Sequence, residues 1–440
     1  MINLEIIPLK KGVIVGEENT LEILIRASGS SKYQPELHKR LPLNLSLVID
    51  RSGSMQGRPL EEAKKSAIML IDRMDETDQL SVVTYDNQVD VVFPTTKVTN
   101  KPLLKSLITG ITQGGMTALF DGWSVGADLV SLHSDDAYFS RVLLLSDGQA
   151  NQGLTDPKII SSSCQVMAEK GVTTSTYGLG LNFNEDLMTT MAKYGQGQAH
   201  YGQTANDLIE PFHEEFDLME AILARRLKLQ IMPELGVSFE ILNGYSQNQE
   251  GRFNLPDLAL GADVWALARV TLAEGICKKA LGSSVKALTA SIDFLDTEGV
   301  DHRSKTSEIK LEIISTDAYD SQDVNETVQQ RTLELRAALL QEQAHVAARE
   351  ENWGRIDQIM AELEGLAQNS AWIKLSFERL KYYSTKRSRE EFSKEAHYKS
   401  TRMRSRSVSR DENIKNYSPD AEVHIPSYLR RKLEQGKKQS

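Results

Sequence analysis

Residues 48–55 read V-I-D-R-S-G-S-M. Asp50, Ser52 and Ser54 place oxygen-bearing side chains at every second position, directly after an aliphatic run. Alone, the stretch suits a polar turn at a strand end, because Asp and Ser readily hydrogen-bond nearby backbone. A hard divalent cation would need the same oxygens for another reason, since it collects about six of them. The flanking sequence separates the two readings.

LNLSLVI (43–49) has the character of a strand, and PLEEAKKSAIMLIDRM (59–74) that of an amphipathic helix with Pro59 in its first turn. Strands follow at 79–85 and 89–94, and helices at 100–109 and 117–131. RVLLLS (141–146) carries successive apolar residues, as a central strand covered on both faces does. A helix at 157–171, a strand at 173–180, a helix at 184–195, an edge strand at 197–201 and a closing helix at 204–224 continue the alternation. This pattern predicts a doubly wound, largely parallel α/β sheet with helices on both faces, spanning 42–224.

Outside that span the rhythm changes. Strands are expected at 3–8 and 19–27, then at 226–233, 237–244, 251–258, 263–272, 285–296 and 307–315. They fit an antiparallel β-sandwich at 225–316, joined by the N-terminal strands of 1–27, so that the α/β domain is inserted between its segments. Residues 28–40 read as a polar linker. The span 322–397 is rich in Ala, Leu, Glu, Gln and Arg and predicts helices at 322–348, 352–368 and 370–397. Trp353 and Trp372 are expected to anchor their packing. From about 386 the Arg/Ser bias suggests an exposed chain, and 398–440 is expected to be a basic, flexible tail.

A chain of 440 residues exceeds one ordinary core, and about two or three domains are expected. A net charge of −10 does not favour nucleic acid as the main partner. Cys164 and Cys277 are too few and too far apart for a disulfide framework or a metal knuckle. The N-terminus reads as a strand rather than a signal peptide. No stretch reaches the roughly 18 apolar residues of a membrane span. A cytoplasmic, monomeric protein is the expectation.

Two further stretches complete the opening motif. LLLSDGQANQG (143–153) places Asp147 after the most apolar strand, and GGMTALFDG (114–122) places Thr117 at a helix start. In an open α/β sheet, such loops converge at the C-terminal ends of central strands. Asp50, Ser52, Ser54, Thr117 and Asp147 form an oxygen-only set, which favours Mg2+ or Mn2+ over Zn2+. Asp121 suits either a supporting carboxylate or a helix N-terminus, and Asp86 a hairpin turn. Arg51 is expected to point to solvent or toward a partner's acid. The three loops hold no histidine or lysine to act as base, and no phosphate-binding glycine loop occurs, so no enzyme activity is expected.

The elements D-R-S-G-S (50–54), Thr117 and S-D-G (146–148) resemble the von Willebrand factor type A family with an intact metal-ion-dependent adhesion site. TYGLG (176–180) and the flanking strands resemble bacterial relatives of inter-alpha-trypsin inhibitor heavy chains and calcium-activated chloride channel regulators. The resemblance implies that Ser52, Ser54 and Thr117 contact a metal by their hydroxyls. Asp50 and Asp147 would contact it directly or through water. Mg2+ is the implied ion, with Mn2+ or Ca2+ as substitutes. The remaining position is implied to take a Glu or Asp from a partner protein. The alternative is a structural scaffold, or an adaptor subunit of a multi-component ATPase, in which the metal mainly stabilises the domain.

Overall fold

The computed structural model describes residues 2–29, 40–146, 152–179, 184–202, 206–404 and 408–409. The chain divides into two compact units. One comprises Lys39–Ala221 with Thr297–Gly299, and the other Met1–His38, Ile222–Asp296 and Val300–Ser440. In chain order, β1 (Ile2–Pro8), β2 (Gly12–Ile14) and β3 (Asn19–Gly29) come first. The α/β unit follows as β4 (Leu43–Asp50), α1 (Arg58–Arg73), β5 (Gln79–Tyr85), β6 (Val89–Lys97), α2 (Lys101–Thr109), α3 (Leu119–Ser131) and β7 (Phe139–Ser146). It ends with α4 (Pro157–Glu169), β8 (Val172–Leu179), α5 (Glu185–Tyr194), β9 (Gln196–Gly202) and α6 (Asn206–Glu220).

Its sheet has the order β6-β5-β4-β7-β8-β9. All neighbours are parallel except the β5–β6 pair, so the sheet is mixed and Rossmann-like. The chain winds outward from β4 to one edge and from β7 to the other. The switch between these directions lies between β4 and β7, where open α/β sheets place their binding crevice. Every residue of β4, β7 and β8 is buried, which explains their near-continuous apolar runs. Asn100, Asp156 and Asn184 begin α2, α4 and α5 by accepting a hydrogen bond from a first-turn N–H. Helix α3 lies close on the sheet: a Cβ at Gly122 would stand 2.5 Å from the Tyr85 ring.

A buried polar network holds α6 to this sheet. Glu215 of α6 accepts from Arg141 of β7 at 2.8 Å and pairs with His200 of β9 at 2.9 Å. The Ser175 and Tyr177 hydroxyls of β8 also donate to it. Burial alone would raise the Glu215 carboxyl. His200 and Arg141 outweigh that effect and hold it at about 2, against an ordinary 4.5.

The other unit returns with β10 (Ile222–Pro233), β11 (Val237–Ile241), β12 (Phe253–Asn254), β13 (Leu258–Ala259), β14 (Ala262–Leu272), β15 (Ser284–Leu295), β16 (Asp301–Arg303) and β17 (Ser307–Ile314). Helices α7 (Thr316–Asp320), α8 (Glu326–Arg349), α9 (Trp353–Ala367), α10 (Ala371–Thr385) and α11 (Arg389–Arg404) follow, then β18 (Val408–Ser409). One sheet runs β1-β3-β14-β11 with β18 on β14, and the other β12-β10-β15-β17-β2 with β13 on β10 and β16 on β15. All pairs are antiparallel except β2 with β17. Both sheets feed the same cores: Ile25 and Val264 from one pack with Leu229 and Ile292 from the other. Val328 and Leu335 of α8 pack on Leu24, Trp265 and Leu267, while Leu340, Ala344 and Ala347 join the helical core. Among the described residues, no helix is long and apolar enough to cross a membrane.

Several expectations need correction. The closing helix of the α/β unit stops at Glu220, because Ile222 already begins the long strand β10. The strand expected at 251–258 reduces to two short pieces around Pro256, which has no N–H for a ladder. Short strands β2 and β16 were not foreseen. The helix expected at 370–397 breaks at Arg387, whose φ is +51°, and restarts as α11. The restart has a local cause: Ser388 and Glu391 are hydrogen-bonded in the spacing of a capping box. Residues 398–404 therefore belong to a helix with Met403 buried, not to a flexible tail. Residues 30–39 of the expected linker, with 405–407 and 410–440, lie outside the described residues. Trp353 meets Phe392 at 6.2 Å as the expected anchor, whereas Trp372 is not part of that core.

Replacing Glu215 with alanine leaves Arg141 without its buried carboxylate, and should lower stability by about 3–5 kcal/mol in chemical denaturation at pH 7. Because folding depresses this carboxyl, its contribution is complete above about pH 4.5 and is lost as pH falls toward about 2. The deficit of the variant should shrink across that window.

Candidate metal centre

Strand β4 ends on Asp50, whose side chain is fully buried. One carboxylate oxygen accepts from the Ser52 backbone N–H at 2.8 Å. The other accepts from the Ser146 hydroxyl at 2.7 Å and the Tyr85 hydroxyl at 3.4 Å. Donors from the ends of β5 and β7 thus meet at the end of β4. Burial pushes the Asp50 carboxyl above its ordinary range, and the hydrogen bonds from Ser52, Ser146 and Tyr85 only partly oppose it. Ser52 is buried and Ser54 exposed, with their hydroxyl oxygens 3.1 Å apart. Residues 53–55 make one tight turn, and buried Met55 plugs it into the core.

The loop carrying Thr117 is clasped to this one through backbone. Gly114 N–H donates to the Arg51 carbonyl at 2.7 Å, and Gly53 N–H to the Gly115 carbonyl at 2.8 Å. Asp86, buried just after β5, holds the clasp from below. Its carboxylate accepts from Gly115 N–H at 3.2 Å and Gln88 N–H at 2.7 Å, and its carbonyl accepts from Ala118 N–H at 2.8 Å. Only glycine fits at 114, because a Cβ there would lie 1.6 Å from an Asp86 oxygen. Thr117 is buried just before α3, and its carbonyl accepts from Gln152 N–H at 3.3 Å.

Asp50, Ser52 and Ser54 therefore share one tight loop, and Thr117 sits in the loop clasped to it. Asp147 lies outside the described residues; Ser146 directly before it touches Asp50. Arg51 does not point away into solvent: it pairs with Asp90 at 2.6 Å and Asp86 at 3.4 Å. Asp86 is more than a hairpin residue, since it fixes the Thr117 loop. Its sequence signal was a carboxylate directly after a parallel strand. Asp121 stands exposed in the first turn of α3, where a carboxylate suits the helix dipole.

Residues 44–213 match the von Willebrand factor type A domain family. The protein sll0103 of Synechocystis sp. is 32% identical over 198 residues, which cover 44% of this chain and 46% of that one. Inter-alpha-trypsin inhibitor heavy chain H3 of Mesocricetus auratus is 28% identical over 187 residues, covering 40% of this chain and 21% of that one. The chain spans less than half the length of these curated relatives. The solved von Willebrand factor type A protein from Catenulispora acidiphila has a similar fold, with a TM-score of 0.66 over 86% of this chain and 89% of that chain at 15% identity. By sequence and by fold alike, the segment that carries Asp50, Ser52, Ser54 and Thr117 is a von Willebrand factor type A domain.

Proposed function

We propose that this chain is a metal-dependent protein-binding module. Ser52, Ser54 and Thr117 would hold a divalent cation by their hydroxyls, with Asp50 and Asp147 contacting it directly or through water. Mg2+ is the preferred ion, and Mn2+ or Ca2+ can substitute. A Glu or Asp of a partner protein fills the remaining position. The two antiparallel sheets form a β-sandwich that carries the inserted domain.

The observation that carries this reading is the state of Asp50. Hiding a carboxylate from water is costly, and the Asp50 side chain is fully buried at the end of β4, where Ser52, Ser146 and Tyr85 donate to it. A cation at the same place removes the penalty by giving the anion a counter-charge. The neighbouring donors suit a hard ion, because they are hydroxyls and carboxylates without sulfur or imidazole. Ser54 and Met116 are exposed, so the rim is reachable by another protein. Closing a partner over the ion strips solvent and strengthens the pairing.

Calorimetric titration of the full chain with Mg2+ is expected to give saturable heat that disappears in Asp50→Ala. Equal heats in both proteins would overturn the assignment. Recruitment is tested by recovering partners from native lysate with Mg2+ and with chelator; identical recovery would leave only a stabilising role for the ion. Gly114→Ala keeps all five oxygen-bearing residues but drives a Cβ into Asp86. It should weaken Mg2+ binding through the displaced clasp, with a stability loss of about 1–3 kcal/mol.

A further inference from the structure

The last strand, β18, has no part in that reading. It lies along β14 on the side away from β3, since Asp263 stands opposite Ser28 in one ladder and opposite Val408 in the other. The same side of β14 carries β11, which pairs with residues 268–272. Between these two partners, no strand among the described residues ladders with 264–267 on that side. This stretch of β14 is therefore a sheet edge.

Side chains stand in for a strand there. The Tyr245 hydroxyl donates to the Trp265 carbonyl at 3.0 Å. Buried Asn243 accepts from the Leu267 N–H at 2.8 Å and donates to the Arg404 carbonyl at 2.9 Å. An N–H on one side and a carbonyl on the other fix which way this amide points. It acts as a peptide unit inserted between β14 and the end of α11. Leu267 and Arg404 are also the residues that the β18 register, continued back along the chain, would set opposite each other. A two-residue bridge can be incidental, but here two contacts separated in sequence agree on one antiparallel alignment. Met403, buried in the helical core, fixes where the chain leaves α11.

We propose that the edge of β14 at residues 262–267 is a strand-addition site whose resident occupant is this chain's own segment after α11, held at Arg404 and at Val408–Ser409. A bare edge invites pairing with any extended chain, and this segment covers it in cis. The cover is exchangeable, because β18 ladders through two residues whereas β3 ladders with β14 through ten. Main-chain hydrogen bonds supply most of the binding at such an edge. Once the resident strand is released, the edge accepts the same sequence offered in trans. Asn243 is the positioning residue, since it sets the alignment at the Arg404 end.

The test uses the full chain carrying Val408→Pro and Ser409→Pro together, which removes both N–H groups of β18 and bars it from a ladder. Amide hydrogen exchange at residues 262–263 is expected to become about 10-fold faster or more, while residues 268–272, laddered to β11, keep their wild-type rates and report that the sheet is intact. A fluorescent peptide of residues 404–410, R-S-R-S-V-S-R, is then expected to bind the double variant saturably and the wild type about 10-fold more weakly or not at all. The proposal fails if exchange at 262–263 matches wild type, or if the peptide binds the variant no better than the wild type.

Discussion

A carboxylate with no surface exposed to water sets the terms for the α/β unit. Asp50 stays in place because three neighbours donate to it, and those neighbours come from different parts of the chain. Register makes this possible. Asp50 stands beside Tyr85 in the β4–β5 ladder, and Ile49 stands beside Leu145 in the β4–β7 ladder, so Ser146 arrives one step further on. A one-residue slip would turn Asp50 to the opposite face and separate it from these donors. The sheet order and the chemistry at its end are therefore one constraint.

The loops above that carboxylate are ordered by protein groups. Two backbone bonds join them in opposite directions, Asp86 supports one loop and Arg51 ties the other to β6. Below them, α3 approaches the Tyr85 ring at a glycine, which keeps that hydroxyl within reach of Asp50. Oxygens held this way would need little rearrangement to meet an ion, so the proposed binding would lose little to the ordering of side chains. The hydrogen bonds that order these loops are the ones that would place the oxygens for an ion.

Much of this was legible in the sequence because local patterns announce it. Apolar runs marked β4 and β7, and Asp50, Ser52 and Ser54 stood directly after one of them. The roles of Tyr85, Asp86, Arg51 and Ser146 were not legible, because each depends on a strand or loop distant in sequence. Arg51 looked like a spare charge until β6 brought Asp90 beside it. Elsewhere the reverse held. The Ser388–Glu391 signal for a new helix was local and present, but the surrounding Arg/Ser bias obscured it. Pro256 likewise gave fair warning that 251–258 could not form one continuous strand.

The pairing of β3 with β14 bears on how the chain is made. Ser28 lies opposite Asp263, more than 200 residues later, and ten successive residues of β14 pair with β3. At about 5–20 residues per second on a ribosome, β3 waits roughly ten to fifty seconds for that partner. Its other ladder partner, β1, precedes it in the chain and is made first. A compact α/β unit between the two strands makes the effective loop shorter than the residue count, which lowers the entropy lost in joining them. The α/β unit thus doubles as a compact connection between strands that lie far apart in the chain.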